Sequence, residues 1–135
     1  AGARRVPLDE LLSTSDIVSL HVPLDGSTKG MIGTTQFKAM QSTAILINSC
    51  RGPVVVEADL VSALKSGEIF GAGLDVTEVE PIDPASPLIN LPNVVITPHQ
   101  GARTIDSQRN ADFNVVENAE RIARAEEPLW VVEPA

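Results

Sequence analysis

Four short apolar runs, "DIVSLHV" (16–22), "TAILIN" (43–48), "GAGLDV" (71–76) and "NVVIT" (93–97), recur along the chain, each rich in Val, Ile or Leu and bounded by Pro, Gly, Asn or Asp. Such runs read as buried strands. Between the second and third lies "EADLVSALKSG", in which Leu60, Val61 and Leu64 share one helical face, a lysine sits near the end and Gly67 is placed to cap it. A strand, helix, strand order needs a right-handed crossover and therefore parallel strands, which are covered on both faces and show unbroken apolar runs. The expected class is α/β with an open parallel sheet.

Other segments fill in the order of elements. "PLDELLSTSD" places Leu8, Leu11 and Leu12 at helical spacing, a short amphipathic helix ahead of the first strand, and "TTQFKAMQ" suggests a second. Residues 106–125 carry Ala111, Val115, Val116, Ala119, Ile122 and Ala123 on one face, which predicts a long C-terminal helix of about 30 Å. Pro81, Pro84, Pro87 and Pro92 make the segment between the third and fourth runs a loop.

Composition bounds the function. A chain of 135 residues with 43% hydrophobic content can bury the core of one domain. The net charge of -8, from 18 acidic and 10 basic residues without a Lys/Arg cluster, argues against nucleic acid and anionic membrane surfaces as partners. Cys50 is the single cysteine, so no internal disulfide can form, and no second thiol or ligand cluster suggests redox or metal work. With no signal segment or long apolar span, a reducing, cytoplasmic-type compartment is expected.

The polar residues fall in a pattern. "NSCRG" follows the second run, "LDVTEVEP" closes the third and "TPHQGA" closes the fourth, so Arg51, Asp75, Glu80 and His99 all follow carboxyl ends of parallel strands, where open α/β sheets bind ligands. Histidine suits proton transfer near neutrality, a carboxylate beside it favours the protonated ring, and an arginine can hold an anionic substrate. Each residue also has a plainer reading. Arg51 and the glutamates Glu78 and Glu80 can be solvated loop residues, Asp75 a turn cap, His99 a loop cap, His21 a packed or solvated ring before Pro23, and Cys50 a small core residue.

"DIVSLHVPLDGSTKGMIG", "AILINSCRGPVVVEADLVSALKSGEIFGAGLDVTEVEP" and "PLINLPNVVITPHQGA" resemble the C-terminal signature blocks of the D-isomer-specific 2-hydroxyacid dehydrogenases, in order and over nearly the whole chain. The resemblance implies that Arg51 binds the substrate carboxylate and carbonyl, that His99 is the general acid or base, and that Glu80, rather than Glu78, pairs with it. It also assigns Asp75 to the nicotinamide carboxamide of NAD or NADP, with His21, Pro23, Ser49, Cys50 and Gly101 beside the cofactor. The reaction implied is hydride transfer between nicotinamide and C2 of a small D-2-hydroxy or 2-keto acid, of glyoxylate/hydroxypyruvate reductase or phosphoglycerate dehydrogenase type, in a homodimer.

Departures from the family pattern qualify this. Val56 stands where an Asp commonly caps the helix that starts at Glu57, and Gln100 and Arg103 alter the segment after His99. No "GxGxxG" turn occurs, so a pyrophosphate has no such seat here. The expected architecture is the second half of a Rossmann-type doubly wound sheet with its long C-terminal helix: residues 1–125 a partial dinucleotide-binding domain, 126–135 a tail returning toward an absent substrate domain. Such a half is expected to be inactive alone and to expose a parallel edge and apolar faces that favour association. Two other classes fit the same residues: an NAD-sensing corepressor-like binding module, and a non-catalytic half-domain.

Overall fold

The apolar runs form one parallel sheet, ordered β1-β2-β3-β4, in a computed structural model that describes residues 2–132. The strands are β1 (Ile17–Leu20), β2 (Ile45–Asn48), β3 (Gly71–Leu74) and β4 (Val94–Ile96). Register aligns Val18 with Leu46, and Leu46 with Ala72, which in turn faces Val94. Every strand is shorter than its apolar run: His21, Asp75 and Thr97 lie beyond the carboxyl ends, as loop residues rather than strand residues.

Three helices accompany the sheet: α1 (Leu8–Thr14), α2 (Thr34–Ala39) and α3 (Glu57–Ser66). Leu12, Phe37, Leu60 and Leu64 from these helices pack with Val18, Leu20, Leu46 and Leu74 in one buried cluster. Because successive strand residues point to opposite faces, the intervening positions lie on the other side, where Ile17 is 63% and Val95 is 68% exposed. The expectation of strands buried on both faces is therefore corrected for this unit. Its helices supply core partners to one sheet face, and an apolar run does not record which face is covered.

The ends of α3 show how local chemistry sets its limits. Val56 at the N-cap makes no side-chain capping bond, as its aliphatic side chain requires, while Asp59 in the first turn accepts the Thr34 amide at 2.8 Å. At the other end Gly67 adopts φ 74°, and its amide bonds the Ala63 carbonyl. A Cβ at Gly67 would meet no atom within 4 Å, so Gly67→Ala isolates the cost of a left-handed backbone. We expect a loss of about 1 kcal/mol in urea unfolding, with Gly67→Asn milder.

The described residues fall into two compact units that divide after Gln100. In the second, α4 (Ile105–Ala123) is the expected long helix, capped where the Thr104 hydroxyl accepts the Ser107 amide at 3.0 Å. None of its residues is buried. Val115, Val116 and Ile122 of its apolar stripe are exposed, and Asn118, beside that stripe, exchanges two hydrogen bonds with the Leu129 backbone. Residues 133–135 of the expected tail lie outside the described residues. Among the described residues, no helix is long and apolar enough to cross a membrane.

Candidate active site

Each strand delivers polar side chains to the same, carboxyl edge of the sheet. Past β1 comes His21, whose Nε2 lies 2.8 Å from the Ser19 hydroxyl. Pro23 follows, its carbonyl accepting the Thr28 hydroxyl at 2.6 Å. The next turn is built on Asp25: the Ser27 hydroxyl, then the Ser27 amide, donate to its carboxylate and hold it below the usual carboxylate range.

Past β2, the loop Ser49–Cys50–Arg51 is organised by a residue that sequence reasoning treated only as strand. Asn48 is 1% exposed. Its Oδ1 accepts the Cys50 amide at 3.2 Å and the Cys50 thiol at 3.1 Å, and its Nδ2 donates to the Arg51 carbonyl at 3.1 Å. Buried amides need such partners, and here the partners are the backbone on which Arg51 stands. The Arg51 guanidinium donates to the Cys50 carbonyl at 2.7 Å and is exposed. Asn48→Ala would remove the side-chain acceptor of the part-buried Cys50 amide and leave the Arg51 carbonyl with the Val54 amide as partner, so we expect about 1 kcal/mol lost in denaturant titration. The only mark of this in the sequence is a polar residue closing an apolar run.

Past β3, Thr77 is nearly buried and its amide donates to Glu80 Oε1 at 3.3 Å. Glu57, the first residue of α3, braces the same loop by accepting the Glu78 amide at 3.3 Å and the Ser86 hydroxyl at 2.9 Å. Glu78 thus contributes its backbone here, while Glu80 contributes its side chain. Past β4, His99 Nδ1 lies 2.7 Å from Glu80 Oε2, with the imidazole half exposed and the carboxylate slightly less so. Asp75 Oδ1 accepts the Thr97 hydroxyl and the Gln100 amide.

A cavity of about 520 Å³ opens here, lined by Asp75, Glu80, Ile82, Ile96 and His99 among others. A smaller hollow of about 150 Å³ has Ser49, Asp75 and Thr97 in its wall. The structure therefore brings together Glu80, His99 and Asp75 in one place and Ser49 and Asp75 in another. Arg51, Cys50, His21 and Pro23 share the edge without lining the larger cavity, and Gly101 opens the second unit. Chemically, a half-exposed imidazole oriented by a carboxylate in the lining of a largely apolar cavity can exchange a proton with a bound carbonyl or hydroxyl.

Residues 1–101 match the family described as D-isomer specific 2-hydroxyacid dehydrogenase, NAD binding domain. The chain belongs to this family. Among its relatives, the glyoxylate reductase of Korarchaeum cryptofilum is 48% identical over 127 residues, which is 94% of this chain and 38% of that protein. Glyoxylate/hydroxypyruvate reductase B of Salmonella paratyphi B is 48% identical over 87% of this chain and 36% of its own length. Among solved structures, D-lactate dehydrogenase with NAD+ from Lactobacillus jensenii superposes with a TM-score of 0.86 at 37% identity, covering 96% of this chain and 43% of that one. A D-isomer specific 2-hydroxyacid dehydrogenase from Xanthobacter autotrophicus Py2, in complex with NADPH, gives 0.79 at 42% identity over 94% of this chain and 52% of that one. The chain thus spans well under half the length of the curated relatives it matches.

Proposed function

We propose that this chain supplies the proton-transfer edge of an NAD- or NADP-dependent reductase of small 2-keto acids, of the glyoxylate/hydroxypyruvate type. The observation that carries the reading is the 2.7 Å contact between His99 Nδ1 and Glu80, both in the lining of the cavity. With Nδ1 engaged by the carboxylate, Nε2 is left for substrate, so ring orientation and tautomer are set together. Reduction adds a hydride to the carbonyl carbon of the keto acid and a proton to its oxygen. The nicotinamide supplies that hydride when bound, and His99 supplies the proton.

Arg51 takes the substrate carboxylate, for which a planar, permanently charged fork of donors is suited. Glu80 holds the imidazole and compensates its charge when protonated. The residues present suit the nicotinamide end of a dinucleotide: Asp75 and Ser49 border one hollow, and a carboxylate and a hydroxyl are the chemistry that an amide, which donates and accepts, would meet. His21, Pro23, Cys50 and Gly101 complete the cofactor side of this proposal. The reading carries with it a cytoplasmic enzyme acting as a homodimer, an assembly that sedimentation of the full chain reports.

Arg51→Met tests the substrate class. If Arg51 holds a carboxylate, losing a charge-assisted hydrogen bond should lower kcat/KM for glyoxylate by about 10- to 100-fold. A variant with unchanged kcat/KM would exclude Arg51 as the anchor.

A further inference from the structure

We propose that Thr97 is a positioning residue for His99, acting through the carboxylate of Asp75. His99 has φ 52°, a left-handed conformation that side-chain-bearing residues seldom adopt and that neighbouring structure must enforce. The enforcing contacts lie on both sides of the histidine. Its own amide donates to the Asp75 carbonyl at 2.9 Å and to the Thr97 carbonyl at 3.0 Å. One residue further, the Gln100 amide donates to Asp75 Oδ1 at 2.8 Å, and the Thr97 hydroxyl, two residues before His99, donates to that same oxygen. A single carboxylate oxygen therefore closes a short loop with His99 at its apex.

Thr97 is itself anchored, because its amide donates to the Leu74 carbonyl at 2.9 Å and so continues the β3–β4 pairing. Its hydroxyl donates to Asp75 rather than to the imidazole, which is why its influence on His99 is positional. The arrangement fixes the direction from which the ring meets Glu80. Asp75 consequently has a duty to the histidine loop besides any duty to a cofactor.

Two variants, in an enzyme of the relatives' length that carries this chain, decide the matter. Thr97→Val keeps the shape and removes the donor; Thr97→Ser keeps the donor. In Thr97→Val, amide exchange at His99 and Gln100 should speed up by about tenfold or more, since both amides close the loop that the hydroxyl ties. The His99 ring resonances should shift or broaden, while those of His21, the other histidine of the chain, stay in place. Thr97→Ser should restore both signatures, and kcat should fall in Val and return in Ser with KM little changed. Wild-type exchange rates and ring resonances in Thr97→Val would overturn the proposal, as would a Ser variant indistinguishable from Val. The catalytic consequence rests on the proton-transfer reading of His99; the exchange and resonance signals do not depend on turnover. An active His99→Gln enzyme would thus defeat that reading and leave the nuclear resonance data to judge Thr97.

Discussion

His99→Gln in an enzyme of its relatives' length that carries this chain should lower kcat for glyoxylate reduction by about 10²- to 10⁴-fold, the usual contribution of a positioned general acid. Glutamine keeps a polar side chain in the lining of the cavity but cannot deliver a proton. Substrate binding should change little, because Arg51 rather than His99 is assigned the carboxylate, so the loss should fall on kcat more than on KM. Glu80→Gln should be intermediate: an amide can still hold the ring 2.7 Å away but cannot compensate an imidazolium. In the double variant the losses should be less than multiplicative, as for groups that act as a unit. Fully multiplicative losses would mean that the two residues act separately.

Gly52→Ala should produce the largest structural effect in the first unit. A Cβ at Gly52 would lie 1.8 Å from the Thr77 carbonyl oxygen and 2.7 Å from the Glu78 nitrogen. Neither atom can yield cheaply, because both belong to backbone. Gly52 starts a short 3-10 turn, Gly52–Val54, and follows Arg51 directly; Thr77 begins the loop that carries Glu80 and is bonded to it. Relief of the clash must separate the β2 loop from the β3 loop, and with them the proposed anion-binding and histidine-orienting residues. Overpacking against fixed backbone leads us to expect about 3 kcal/mol or more of destabilisation, and a drop in activity beyond what the lost stability explains. Urea unfolding of Gly52→Ala beside Gly67→Ala makes the comparison internal, since the latter position has open space. Equal losses at the two sites would show that the close approach at Gly52 is unimportant.

The strands were readable because a buried parallel strand needs four or so consecutive apolar residues, and "TAILIN" or "NVVIT" offers little else. The limits of α3 were also readable, since Gly67 adopts the left-handed cap that its lack of a side chain permits. Which sheet face the helices cover was not. Ile17 and Val95 are as apolar as Val18 and Leu46, and only the three-dimensional path of α1, α2 and α3 separates the exposed pair from the buried one. At the site, the sequence indicated the edge on which Arg51, Asp75, Glu80 and His99 gather, because every one of them follows a strand. It did not disclose Asn48 or Thr97 as supports. Their partners, the Arg51 backbone and Asp75 Oδ1, come into reach only through loop conformation and strand pairing. The left-handed backbone of His99 likewise leaves no trace in residue type.

Consumption of NADH or NADPH by an enzyme of its relatives' length that carries this chain, followed by absorbance with glyoxylate, hydroxypyruvate or pyruvate supplied in turn, tests the central claim most directly. The account predicts turnover with at least one of these keto acids, at a rate that collapses in His99→Gln. A folded, cofactor-loaded enzyme that reduces none of them, or a His99→Gln variant that reduces them as fast as the wild type, would contradict it.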